Sequence, residues 1–216
     1  MCNLYALRSD PSALGQRFDA DARALGNWPD QASIFPGGEV AIVRGGGEGG
    51  VGRQILRSTW GWPHWKDGAR PLTNVRNTDS PFWRRFVRSA KHRCLVPFTA
   101  FAEYHPTERN ERGHKKVAWF AASEDRPILA FAGICKAAEP DGPGIVNAFL
   151  TTEPNAEVAP IHPKAMPAIL TGEDEFAAWL GEDDDAALAL QRPLPDGTLR
   201  LVHLGGKNDP GVGSAA

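Results

Sequence analysis

The chain has 216 residues, 42% of them hydrophobic, with seven Trp and ten Phe, which is enough for one large domain with a substantial core. Nothing approaches 18 consecutive apolar residues and no basic segment leads into an apolar one at the start, so neither a membrane-spanning helix nor a signal peptide is expected. Cys2, Cys94 and Cys135 have no CxxC spacing, which argues against a disulfide framework or a zinc site and suits a reducing cytoplasm.

In chain order, a short strand is expected over 3–7. A helix follows, with Ser9 or Asp10 as cap, Pro11 in its first position and Leu14 and Phe18 four residues apart. Two strands, Glu39–Arg44 and 51–60, read as a hairpin around a glycine-rich turn. The proline-broken stretch 60–65 is neither strand nor helix and reads as a surface loop. Ser80 and Pro81 open a helix carrying Phe82, Trp83 and Phe86 with arginines between them. Strand-like runs come next at 94–104, 117–121, 128–135 and 145–151. An acidic region then holds two short helices, the first with a capping box from Thr171 to Asp174. A last strand, 198–204, precedes a tail over 205–216 that lacks apolar periodicity and is expected to be disordered. Many strands with few helices between them indicate a single α+β domain, residues 1–204, with an antiparallel, barrel-like core and short peripheral helices.

The net charge of −2 conceals an asymmetry. Seven Lys or Arg and one acid lie between Arg70 and Arg93, and seven acids with no base lie between Glu173 and Asp185. Most such runs are solvated faces, but a basic segment is also a surface that phosphates can follow.

The second residue carries the most chemistry. An initiator Met is removed when a small side chain such as Cys follows it, and Cys2 would then present an α-amine and a thiol on adjacent carbons. These titrate near about 7.7–8.0 and about 8.5, so both are partly nucleophilic at neutral pH. An aldehyde meeting the pair forms an imine with the amine, and the tethered thiol closes a five-membered thiazolidine. Three more places hold polar residues against the local pattern. Asn74 and Arg76 share one side of a short extended piece; Glu103 closes an apolar run; His162 sits among apolar residues and prolines. Each alone is ordinary: a capping amide, a solvated strand end, a hydrogen-bonded core imidazole. Together with Cys2 they make a set for acid–base assisted attack on a carbonyl.

With those residues in place, the sequence resembles the SOS-response-associated peptidase (SRAP) family, whose members crosslink to abasic sites in single-stranded DNA. The matching pieces are Met1-Cys2, Asn74-x-Arg76, Arg93-Cys-Leu-Val-Pro-Phe followed by Ala102-Glu103-Tyr104, Ala130-Phe-Ala-Gly-Ile134, Phe149-Leu-Thr-Thr152, and Ile161-His162 with Met166-Pro167. They occur in family order from Cys2 to about Leu170. The resemblance implies that Cys2 is the crosslinking residue, that Asn74, Glu103 and His162 surround it, and that Arg76 and Arg84 hold the DNA backbone. It also implies lyase-type or autoproteolytic peptidase chemistry at Cys2. Two departures bear on DNA contact. Asn3-Leu4 stand where many members have Gly-Arg, and the interval from His162 to Met166 is one residue longer than the usual one. Lys164 is the candidate replacement for the missing Arg, with a point charge instead of a bidentate fork.

A missing base invites a stacking platform, for which Trp65 or Trp62 is the candidate. Binding is expected to ignore base sequence, because phosphates and an absent base carry no readable code. The expected protein is a cytoplasmic, nucleoid-associated monomer that uses no metal, membrane or cofactor. Two rivals stay open: an N-terminal-nucleophile amidohydrolase or cysteine peptidase using Cys2, His162 and Asn74, and a non-covalent single-strand binding module in which Cys2 is structural.

Overall fold

The computed structural model describes residues 2–45, 52–64, 66, 68–138 and 144–213. In chain order its elements are β1 (Tyr5–Leu7), α1 (Pro11–Phe18), β2 (Ala20–Asp21), β3 (Gln31–Ile34), β4 (Glu39–Arg44), β5 (Arg53–Trp60), β6 (Asn74–Val75), α2 (Pro81–Val87), β7 (Arg93–Phe98), β8 (Ala100–Arg109), β9 (Lys115–Ala121), β10 (Leu129–Ala137), β11 (Ile145–Thr152), β12 (Met166–Pro167), β13 (Ile169–Leu170), α3 (Glu173–Leu180), α4 (Asp184–Leu188) and β14 (Arg200–Gly205).

Five strands close into a barrel in the order β4, β5, β11, β10, β7. Four of its seams are antiparallel, including β4 with β5 (Ile42 opposite Leu56) and β10 with β7 (Phe131 opposite Val96). The closing seam is parallel: β5 meets β11 with Thr59 beside Val146 and Trp60 beside Asn147. The expected α+β domain with a barrel-like core is therefore present, with one parallel seam where an all-antiparallel barrel was anticipated. A second sheet runs β14-β9-β8-β1-β3. Its strand β1 drives Tyr5 into the barrel's aromatic core, edge-on to Trp60 and Phe131 at centroid distances of 5.1 and 5.4 Å. Phe98 stacks on Phe131 at 4.0 Å, and Trp60 on Phe149 at 5.1 Å. Such ring pairs add to the area they bury, so this column ties the two sheets together.

The apolar run over 94–104 forms two strands because Thr99 bends it. Its N–H donates to Ala6 O (2.8 Å), and its hydroxyl accepts from Arg8 N (3.1 Å). The chain thus leaves the barrel as β7 and enters the second sheet as β8. Gly133 in β10 has a steric reason: a Cβ there would lie 2.7 Å from Val96 Cγ2 and 3.0 Å from Cys94 Sγ. Helix α1 is capped by the Asp10 side chain on Ala13 N and has Pro11 in its first turn. The capping box expected for α3 does not form, and the helix starts one residue later. Gly172 is the cap, and Glu175, not Asp174, reaches back to Thr171 N (2.7 Å) and Thr171 Oγ1 (3.1 Å).

The two charged segments meet each other. Arg93 is fully buried, paired with Asp184 at 2.7 Å and donating to Val87 O at 2.7 Å; Arg88 pairs with Asp185 at 3.1 Å. Arg93 fastens α4 to the barrel and is taken out of the basic surface; Arg88, part-exposed at the end of α2, has its charge answered by Asp185. The expected disorder from residue 205 does not describe 205–213. Gly205 ends β14, Asp209 is 1% exposed and ion-paired to Arg126, and its backbone joins Ala32 O (2.8 Å) and Arg8 Nη1 (2.6 Å). One acidic side chain anchors a stretch whose composition gave no apolar signal. Among the described residues no helix is long and apolar enough to cross a membrane, and no group of three or more His, Cys, Asp or Glu is arranged to hold a metal.

Candidate active site

The site forms where the start of β1 meets β8 of its own sheet and the short strand β6 laid along β11. Antiparallel pairing sets Tyr5 opposite Phe101, and Ala102 N–H donates to Leu4 O at 2.9 Å. Cys2 is 1% exposed, with its thiol donating to Leu4 O at 3.4 Å. Strand β6 pairs in parallel with β11, Asn74 beside Phe149, and this brings the Asn74 amide to the cysteine. Asn74 Nδ2 donates to Cys2 O (3.0 Å) and to Thr73 Oγ1 (2.8 Å), whose hydroxyl points to Asn3 Oδ1 (3.4 Å). Both amide protons are thus committed, while Asn74 Oδ1 is buried with no partner among the described residues.

Glu103 lies inside β8, opposite Ala118 of β9, and is 5% exposed. This corrects the picture of a solvated strand end, because β8 continues six residues past it. Its Oε1 is buried and has no partner among the described residues. Burial pushes the carboxyl up to about 7, against the opposing pull of the amino-terminal charge. Burial first, and Glu103's charge second, push the Cys2 thiol well above the ordinary thiol range. His162 lies in the turn leading to β12, with Nδ1 against Ala165 O at 2.8 Å. The same Nδ1 lies 3.3 Å from Ala165 N, so the turn's own backbone holds the ring. Burial holds this imidazole below its ordinary value, helped by the charges of the amino terminus and Lys164. Asn74 is hydrogen-bonded to Cys2, and the charge of Glu103 acts on the Cys2 thiol, so the amide and the carboxyl are brought to the cysteine.

The residues expected to touch DNA are distributed less evenly. Arg76 follows Asn74 by two residues, is exposed, and forms an ion pair with Glu153. Lys164 is exposed in the His162 turn. Arg84 is exposed on α2, and its side chain makes no hydrogen bond or ion pair among the described residues. Trp65 lies outside the described residues. Trp62 is 1% exposed and packed edge-on to Trp83 and Phe86, so it has no free face for a base. Leu4, in the place of the usual arginine, is buried in a small apolar cluster with Ala102, Val117 and Trp119. Sequence reasoning missed Thr73, Glu153 and Gln191. The last two, with Arg76, Thr151 and Thr152, line a polar cavity of about 160 Å³. The one signal for Glu153 was its place directly after the Thr151-Thr152 motif.

The chain is thus a barrel-centred α+β domain whose buried cysteine, near the amino terminus, has an amide hydrogen-bonded to it and a buried carboxyl beside it. A family model described as SOS response associated peptidase (SRAP) matches residues 1–205, and the chain belongs to that family. Membership ties it to the SOS response that the family's description names. No curated protein matches the chain significantly. Among solved structures, it is similar to a protein from Bacteroides thetaiotaomicron (20% identity, 92% of this chain and 90% of that one, TM-score 0.73). It is also similar to a protein from Bordetella bronchiseptica (18% identity, 94% and 98%, 0.72) and to a phage-related protein from the same organism (17% identity, 92% and 92%, 0.70). At these identities the likeness extends to the fold.

Proposed function

We propose that this protein binds single-stranded DNA and captures the ring-opened aldehyde of an abasic site as a thiazolidine on Cys2, shielding it during the response to DNA damage. The observation that carries the proposal is Glu103, a carboxyl buried beside Cys2 with one oxygen that has no partner among the described residues, and raised by burial to about 7. Near neutral pH such a group both accepts and returns protons, which imine formation and ring closure each require.

With Met1 removed, the α-amine of Cys2 is the first nucleophile. It adds to the aldehyde carbon, and loss of water gives the imine. The raised thiol pKa supports this order, because a buried, protonated thiol is a poor opening nucleophile. The thiol sulfur then bonds to the imine carbon, and its proton passes to the imine nitrogen, with Glu103 as the carrier. Asn74 Oδ1, the one uncommitted atom of a clamped amide, accepts from the amine or from a sugar hydroxyl. Neutral His162 exchanges a proton with the sugar oxygen. Arg76, and with it Arg84 and Lys164, contact the phosphates on either side.

Incubating the mature protein with single-stranded DNA, with and without an abasic site, and resolving it on a denaturing gel tests this. A heat-stable adduct formed only with the abasic strand is the expected result. Peptide turnover without an adduct would favour the amidohydrolase or peptidase, and a salt-sensitive complex without an adduct would favour a binding module.

A further inference from the structure

We infer that Glu153 is a built-in competitor for the DNA phosphate at Arg76, an internal carboxylate that a strand must displace before it seats. The inference rests on the reading of Arg76 as a backbone contact and adds a determinant of which anions that contact accepts. The root of Arg76 is fixed. Asn74 and Val75 pair with β11 immediately before it. Gln191 Nε2 donates to Arg76 O (2.9 Å) and Thr151 O (3.0 Å), while its Oε1 accepts from Thr78 Oγ1 (2.9 Å). The guanidinium can therefore move about its stem while the chain beneath it stays put.

Glu153 is equally well placed. It follows the last residue of β11, and the Thr152 hydroxyl donates to its Oε2 at 3.0 Å, leaving Oε1 to Arg76 Nη2. A carboxylate and a phosphodiester present the same thing to a guanidinium: a pair of anionic oxygens that match its fork. The cavity beside the pair, lined by Thr151, Thr152 and Gln191, is polar and opens on the same guanidinium. The paired side chains are 45% and 70% exposed, and exposed pairs of this kind are weak and easily exchanged. A single small anion gains nothing by trading places with Glu153. A strand that brings several phosphates loses this one pairing once and recovers it at its other contacts. Glu153 thus lowers every anion's affinity for this contact by the same factor, which leaves a single phosphate with little net binding and a strand with its other contacts.

The test uses an oligothymidylate, which carries phosphates and no aldehyde, so that covalent capture does not enter. Its affinity is followed by fluorescence anisotropy across a salt series for wild type, Glu153→Gln, Glu153→Asp, Arg76→Ala and the double variant Glu153→Gln/Arg76→Ala. Glu153→Gln should bind about 2–5-fold more tightly. Its plot of log affinity against log salt should steepen by up to about 0.7, the value of one phosphate contact on a single strand. Glu153→Asp keeps the charge and should stay close to wild type, and the double variant should match Arg76→Ala. Unchanged or weaker binding by Glu153→Gln, while Arg76→Ala weakens it, overturns the competitor role alone. So does a gain that persists without Arg76, since that would be a general effect of net charge. Failure of the wild type to bind the oligomer refutes the DNA reading itself and the competitor role with it.

Discussion

Replacing Glu103 by Gln should stabilise the fold at alkaline pH while slowing the chemistry. Burial raises the carboxyl from its ordinary 4.5 to about 7. At about 1.36 kcal/mol per pH unit, holding that charge in the folded protein costs about 3 kcal/mol once the group is ionised in both states. The sign follows from which state keeps its proton. Below pH 4.5 the carboxyl is protonated in both states and nothing is lost. Between 4.5 and about 7 the unfolded chain gives up its proton and the folded one does not, so stability falls as pH rises; above about 7 the loss is complete. Gln has the same shape and no titration. The stability difference between variant and wild type should therefore grow by about 2–3 kcal/mol from pH 5 to pH 8. For a domain of this size that is about 5–10 °C in melting midpoint. Comparing the pair at several pH values by calorimetry removes any constant packing difference. A difference that stays flat from pH 5 to pH 8 would refute the reasoning, because a carboxyl with an ordinary pKa contributes little pH dependence in that range. The same variant should crosslink about 10²–10⁴-fold more slowly in single turnover.

Cys2→Ala should abolish the denaturation-resistant adduct and leave oligothymidylate affinity nearly intact, whereas Cys2→Ser should leave only a reversible imine that borohydride traps; a stable, untreated adduct with the Ser variant would sink the thiazolidine. Arg76→Ala should lower the salt slope for single-strand binding by about 0.7, and Arg84→Ala should do the same if α2 lies along the strand. Identical slopes for both variants and wild type would make the exposed arginines mere solvated charge. Asp209→Ala leaves the Arg126 guanidinium, 5% exposed, without its ion partner and should cost about 3–5 kcal/mol in urea unfolding. A loss below about 1 kcal/mol would mean that residues 206–213 are not clasped to the domain.

The strands were legible because their burial is written as pattern. Glu39–Arg44 alternates little, being buried along most of its length, and the runs that became β7 and β10 are apolar throughout because both of their faces are covered. The division at Thr99 was not legible, since it depends on hydrogen bonds to Ala6 and Arg8, more than 90 positions away. The parallel seam escaped for the same reason: nothing local to β5 or β11 states which partner lies beside it. Asn74, Glu103 and His162 stood out as polar residues in apolar surroundings. Glu103's burial did not, because its strand continues beyond it into exposed residues that the apolar run did not include. Arg93 and Arg88 counted toward a basic surface until their partners, 91 and 97 residues away, were known. Asp209 belonged to a stretch with too few apolar residues to announce order.

The parallel seam between β5 and β11 also governs when the candidate site is assembled. Closing the barrel there joins Thr59 to Val146, so the loop that must be searched spans much of the chain. Asn74 reaches Cys2 only because β6 rests on β11, and Cys2 is covered only when β1 finds β8 about 100 positions later. Contacts this distant in sequence make folding slow and leave strand edges unsatisfied meanwhile. During synthesis the amino terminus emerges first, and Asn74, Glu103 and His162 follow 72 to 160 residues later. Cys2 therefore stays accessible before the fold closes over it, and the candidate site is assembled only when the barrel is complete.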